Sequence, residues 1–351
     1  MKSNKIVALG AASLAVLGLA ACSNRSGDRS EAASDSIRVA YVTDTGGVDD
    51  HSFNESAWTG LKAWGEENNL EQNQGYTYYQ SENESDFTNN FQQAITEGYD
   101  MVAGAGFALA TSLEEVAKNN PDTKFVMVDS VIDLDNVASA TFADQEAAYL
   151  AGVAAAKNTK TKQVGFIGGV ESEVITRFEK GFEAGVKSVD PSIKVQVDYA
   201  GSFNDAAKGK TIAAAQYAAG ADVIFHASGK TGDGLLNEAI TRNEKFAADS
   251  DEKVWVIGVD SDQAPQGGYK DKDGKESNVV LTSTLKEVGN TIKDMATKLQ
   301  EDKFPGGTTT AYDLKSGGVE VTYDNLNEDT KKAVEDAKQA IIDGKVTVPE
   351  K

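Results

Sequence analysis

Hydrophobic period switches repeatedly along this chain. From Ile37 almost to the C-terminus, short β-rich runs alternate with longer stretches whose apolar residues recur at helical spacing. That alternation restricts the fold to α/β, because strands separated by crossover helices form parallel sheets with helices on their faces. Strands are expected at Ile37–Val42, Tyr76–Gln80, Met101–Ala105, Lys124–Val128 and Val137–Phe142. Helices are expected at Glu55–Asn69, with Trp58, Leu61 and Trp64 on one side, at Asp86–Glu97, with Phe87, Phe91, Ala94 and Ile95 inward, and near Leu113–Asn119. Gly98 stands where a left-handed helix stop belongs.

The pattern then begins again. Strands are expected at Gln163–Ile167, Lys194–Tyr199, Val223–Phe225 and Val254–Val259. Val174, Phe178, Phe182, Val186 and Val189 mark one helix face, and further helices are expected at Ala206–Ala219, Leu235–Asn243, Leu285–Leu299 and Thr330–Ile342. Tyr312–Tyr323 reads as a hairpin turning at Ser316-Gly317-Gly318. The segment Phe125-Val126-Met127-Val128-Asp129-Ser130 is echoed by Val256-Ile257-Gly258-Val259-Asp260-Ser261, which hints at two similar lobes. A chain of 351 residues has room for both.

Charge narrows the function. Lys plus Arg number 34 against 55 Asp plus Glu, a formal net charge of −21. Affinity for nucleic-acid phosphates or for an anionic lipid surface comes from clustered cations, so neither partner is expected. One Cys excludes an internal disulfide framework, and one Cys with two His argues against a zinc site.

The first residues read as an address. Lys2 and Lys5 precede an apolar run from Ile6 to Ala20. That run falls short of the roughly 20 residues a spanning helix needs, and it fits a secretory signal over 1–21. It ends Leu19-Ala20-Ala21-Cys22, which resembles the lipobox of bacterial lipoproteins, with Cys22 as the lipidated residue. Residues 22–36, rich in Ser and without apolar periodicity, read as a lipidated flexible tether.

In open α/β sheets, ligands bind beyond the carboxyl ends of the strands. Asp44, Gly104-Ala105-Gly106, Asp129, Gly168-Gly169, Ser228-Gly229 and Asp260 occupy those places. Each Asp either caps the next turn or faces a ligand. The loop Asp44-Thr45-Gly46-Gly47-Val48-Asp49-Asp50-His51-Ser52-Phe53-Asn54 puts a phenyl ring in polar surroundings. Phe53 either staples the following helix or stacks on a planar ligand. Phe203, also followed by Asn, stands in a similar place in the second array, and two such rings could sandwich one heterocycle. Enzyme signatures fail in their spacing. Gly104-Ala105-Gly106 has Leu109 where a dinucleotide loop needs its third Gly. Gly229-Lys230-Thr231 has Ile224 where a phosphate loop needs its first, and Ser228 lacks the Gly that opens a nucleophile elbow.

The loop from Asp44 to Asn54, with Phe125–Asp129 and Val256–Asp260, resembles the signature of the basic membrane protein family of bacterial lipoproteins, and within it the PnrA-like purine nucleoside receptors. The resemblance implies a type I periplasmic-binding-protein fold, an α/β architecture of two doubly wound parallel-sheet lobes joined by a hinge, with a ligand cleft between them. It implies 37–141 plus 263–310 as one lobe and 142–262 plus 311–351 as the other. It implies a monomeric, lipid-anchored receptor on the extracytoplasmic face of the cell membrane. Such a receptor passes adenosine, guanosine or inosine to an ABC transporter permease, with no cofactor, metal or catalysis. Phe53 and Phe203 would sandwich the base, Asp44, Asn54 and Asp129 would meet its edge, and Asp260, Gly229 and Lys286 would hold the ribose. His51 departs from the family pattern, where Lys is common. An adhesin and a nucleoside-cleaving enzyme are the alternative readings.

Overall fold

The computed structural model describes residues 36–351. The expected signal segment, Cys22 and all but the last residue of the tether lie outside the described residues.

The first array supplies β1 (Val39–Val42), α1 (Phe53–Glu67), β2 (Tyr76–Tyr79), α2 (Phe87–Thr96), β3 (Met101–Ala105), α3 (Ala110–Asn119), β4 (Lys124–Val128) and β5 (Val137–Phe142). The second supplies α4 (Asp144–Asn158), β6 (Gln163–Gly168), α5 (Glu173–Val189), β7 (Lys194–Tyr199), α6 (Ala206–Ala218), β8 (Val223–Ala227), α7 (Gly232–Asn243) and β9 (Trp255–Gly258). Then follow a short hairpin of β10 (Gly268–Lys270) and β11 (Glu276–Asn278), β12 (Val280–Lys286), α8 (Val288–Gln300), β13 (Thr308–Tyr312), β14 (Val319–Val321) and α9 (Glu328–Ile342).

One six-stranded sheet runs β13-β5-β4-β3-β1-β2, parallel throughout. The other runs β14-β12-β9-β8-β6-β7, parallel except for β14 at its edge. Helices on both faces bury the central strands fully, so β1 and β3 are apolar on both sides and show no alternation. Side-chain caps start several helices: Ser172 accepts from the Ile175 amide, Asp205 from Lys208 and Asn327 from Thr330. A continuous buried cluster links α1 and α8 on the first sheet to α4, α5 and α9 on the second, and separate clusters fill the opposite faces.

The chain passes between the lobes three times: from β5 to α4, from β12 to α8, and from β13 to β14. This corrects the expected boundaries at 263 and 311. Within 263–286, β12 joins the second sheet and β10 and β11 pair with each other, while β13, ending at Tyr312, completes the first. Thr282, Ser283 and Thr284 hide β12 from a hydrophobicity reading, yet all three are buried. The Thr282 hydroxyl donates to the Thr322 carbonyl at 2.6 Å. Leu285 and Lys286 therefore end a strand, where a helix was expected to begin. Tyr312–Tyr323 is likewise no hairpin, because its two strands belong to different sheets. One helix was not anticipated. In α4 every residue from Asp144 to Ala155 except Glu146 is buried, so no polar face sets a helical period.

Candidate functional site

The carboxyl ends of both sheets open on one cleft of about 510 Å³, and the residues expected from the sequence meet there. Asp44, Phe53, Asn54 and Asp129 line it from the first lobe; Phe203, Gly229, Asp260 and Lys286 line it from the second.

The first wall is the turn between β1 and α1. Asp50 organises it, accepting from the amides of Ser52, Asn54 and Glu55 at 2.9–3.0 Å and so capping α1. The Asn54 carboxamide donates to Asp44 Oδ1 at 2.8 Å and to Asp50 Oδ2 at 2.9 Å, while its oxygen accepts from the Tyr41 hydroxyl at 2.7 Å. The Gly46 amide also donates to Asp44 Oδ1, at 2.8 Å. Burial raises the Asp44 carboxyl to about 6 against those hydrogen bonds, and burial raises Asp50 as well. Phe53 begins α1 half-buried, with its ring on the cleft.

On the second wall, Phe203 lies over Gly169, where a Cβ would come within 2.2 Å of the ring. Thr231 ties the Phe203 loop to the Gly229 turn: its hydroxyl donates to the Ser202 carbonyl at 3.0 Å and accepts from the Asp205 amide at 2.9 Å. Phe107 meets Phe203 edge-on, with centroids 6.3 Å apart.

The echoed motifs take equivalent places. Asp129 follows β4 at φ 66° and Asp260 follows β9 at φ 65°. Both are left-handed, a conformation Asp adopts more readily than most residues but still at a cost of about 1–3 kcal/mol. Lys286, at the end of β12, lies 2.7 Å from Asp129 Oδ2, and its ammonium sits 5.1–5.8 Å from the ring centroids of Phe53, Phe142 and Phe178. Burial works against the Lys286 charge, but Asp129, Asp144 and Asp260 together raise its pKa above the ordinary lysine value. Burial raises Asp129, and it carries Asp260 to about 7 despite Lys286 and Ser52.

Sequence reasoning missed several residues of this cleft. Phe178 was legible only as a helix-face residue, and Phe107 stood in no motif, yet both line the cavity. Asp144 and Arg177, behind Lys286, had no spacing to mark them.

The lobes touch across the cleft. Ser52 Oγ donates to Asp260 Oδ2 at 2.6 Å, Gln263 Nε2 donates to the His51 carbonyl at 3.1 Å, and Lys230 pairs with Asp49 at 2.8 Å. His226 is buried between Gln263 Oε1 at 2.9 Å and Ser228 Oγ at 3.1 Å; burial lowers it to about 4, so it is neutral near pH 7. His51 pairs with Glu55. Among the described residues there is no group of His, Cys, Asp and Glu that could hold a metal ion, and no helix is long and apolar enough to cross a membrane.

A family model described as "ABC transporter substrate-binding protein PnrA-like" matches residues 37–351. The chain belongs to this family. Among similar proteins, the "ABC transporter nucleoside-binding protein BmpA" of Lactococcus lactis is 55% identical over 348 residues, covering 99% of this chain and 98% of the relative. The "CD4+ T-cell-stimulating antigen" of Listeria monocytogenes is 46% identical, covering 95% and 94%. A solved solute-binding protein of an ABC transporter system from Aeropyrum pernix superposes with a TM-score of 0.75 at 24% identity, covering 90% of this chain and 94% of that one. That likeness shows the periplasmic-binding-protein-like fold expected from the sequence.

Proposed function

We propose that this PnrA-like protein captures purine nucleosides between its lobes and delivers them to an ABC transporter permease. The observation that carries the reading is the cleft's lining: phenyl rings from both lobes, with four carboxylates, Asp44, Asp50, Asp129 and Asp260, around a single ammonium. The name of the Lactococcus relative supports a nucleoside ligand. Phe53 and Phe203 would stack on the base. Asp44, Asn54 and Asp129 would accept from or position its edge, and Asp260, Gly229 and Lys286 would hold the ribose hydroxyls. A nucleoside carries no phosphate and asks for no cluster of cations, whereas a nucleotide would bring its charge against the acidic rim.

Calorimetry with adenosine, guanosine and inosine against their monophosphates tests this. Nucleosides should bind stoichiometrically, remain unchanged, and bind far more tightly than the nucleotides. Phe53→Ala should weaken binding by about 1–3 kcal/mol, the value of one base–aromatic stack. Equal affinity for nucleoside and monophosphate would refute the reading, and multiple turnover would favour an enzyme. Deoxynucleosides should bind less tightly, since a partner of the missing hydroxyl is left unpaired.

Anchorage belongs to the same proposal. Leu19-Ala20-Ala21-Cys22 supports lipidation at Cys22, which would hold the body on the extracytoplasmic face of the membrane. Cys22→Ala should move the protein from the membrane to the soluble fraction.

A further inference from the structure

The floor of the cleft holds a row of four alternating charges. Lys286 Nζ stands 2.7 Å from Asp129 Oδ2 and 3.0 Å from Asp144 Oδ1. The other oxygen of Asp144 accepts from Arg177, at 2.9 Å from a terminal guanidinium nitrogen and 3.2 Å from Nε. The side chains of Lys286, Asp129 and Asp144 are 3%, 5% and 0% exposed, and that of Arg177 19%. Asp129 follows β4 in the first lobe, Asp144 and Lys286 flank two of the three crossings, and Arg177 rides on α5 in the second lobe. The row therefore runs from one lobe through the hinge into the other. Only Asp129 and Lys286 line the cleft.

The Lys286 ammonium faces two carboxylates at nearly equal distance, and Asp260 adds a weaker pull. Two carboxylates competing for one buried ammonium would divide it between them. The guanidinium behind Asp144 changes that balance. It matches the charge of Asp144, leaving Lys286 to pair with Asp129. Lys286 hydrogen-bonds Asp129 alone; Oδ1 of Asp129 and Oδ1 of Asp144 are both buried without a hydrogen-bond partner among the described residues, and of the two residues only Asp129 lines the cavity.

We infer that Arg177 is a positioning residue for the ligand: by neutralising Asp144 it keeps the Lys286 ammonium on Asp129, and so holds the Asp129 carboxylate in place at the cleft wall. Arg177 touches no ligand in this scheme and acts through two other side chains. The inference rests on the nucleoside reading above, and the two fail separately. Wild-type protein that binds none of adenosine, guanosine and inosine removes the first, whereas the variants below bear only on the second.

Arg177→Gln keeps donors for Asp144 and removes the charge. Its affinity for the nucleoside that wild type binds best should fall about tenfold or more, because the unmatched Asp144 carboxylate then draws the Lys286 ammonium away from Asp129. Arg177→Lys should stay within about threefold of wild type, since the charge remains. Asp144→Asn with Arg177→Gln leaves Lys286 only Asp129 to pair with and should recover affinity to within about threefold of wild type. A purely structural role for Arg177 predicts no such recovery. Arg177→Gln binding as wild type does, or a double variant as weak as Arg177→Gln, overturns the inference. Should Arg177→Gln fail to fold, Asp144→Asn alone decides: it should bind within about threefold of wild type, and any greater loss overturns the inference.

Discussion

Asp260 shows how position alters the chemistry of a residue. Burial lifts its carboxyl from an ordinary 3.8 to about 7, and Asp44 moves the same way to about 6. The folded protein therefore holds protons that the unfolded chain releases above about pH 4. This contribution to stability is fully present at low pH and is lost as pH rises through about 7. His226 acts in the opposite sense: with its pKa lowered to about 4 from 6.5, it contributes stability above pH 6.5 that is lost as pH falls toward 4. Between pH 6.5 and about 7.5 the Asp260 effect remains. The melting temperature of the ligand-free protein should fall across that window, and Asp260→Asn should flatten the fall; equal slopes would contradict the assignment. These values were not legible in the sequence. Asp129 and Asp260 could be singled out because each ends an echoed motif, but the ion pair between Asp129 and Lys286 needed the fold to bring distant segments together. Asp144 and Arg177 illustrate the limit. Each is one charge among several in its helix, and only tertiary contact gives it a role.

At the scale of elements, close backbone approach decides how α8 seats against α1 on the first sheet. Gly60 on α1 and Gly289 on α8 face each other so tightly that a Cβ on Gly60 would sit 2.1 Å from the Gly289 carbonyl oxygen, and one on Gly289 would sit 2.4 Å from that of Ser56. Gly289→Ala should therefore cost about 1–3 kcal/mol or more through overpacking. Chemical denaturation would register this as a lower midpoint, and an unchanged midpoint would show that the helices can separate. Sequence patterns found the helices that keep one wet face, and enclosed strands such as β1 and β3 as short apolar runs. They found α2 and α5, whose apolar stripes are clean, and even the helix stop at Gly98, which has φ 78°. They missed α4, buried nearly all round, and broke β12 at the point where buried Thr and Ser replace apolar residues. Both failures have one cause. Periodicity records contrast between two faces, and a segment enclosed on every side shows none.

On the proposed function, the molecule as a whole binds by bringing two walls together, so contacts between walls should govern release more than capture. Lys230 and Asp49 span the cleft mouth at 2.8 Å, with side chains 32% and 68% exposed. A pair so open to water is worth roughly 0.2–1 kcal/mol. Lys230→Met should then speed nucleoside release by up to about fivefold at low ionic strength, with little change in association, and the difference should shrink as salt screens the pair. Stopped-flow displacement would detect it; identical release rates in low salt would leave the pair no part in closure. The two-lobed plan itself could be read from the repeated strand–helix pattern. The points where the chain changes lobes could not, because β13 and β14 look like partners and lie in different sheets.

That threading bears on how the polypeptide is made. The first sheet gains its last strand only with Tyr312 and the second only with Val321, so both wait on the final stretch of synthesis. Pairing segments so far apart in the chain is slow. A nascent polypeptide cannot complete either half early, a schedule that suits the export read from its first residues.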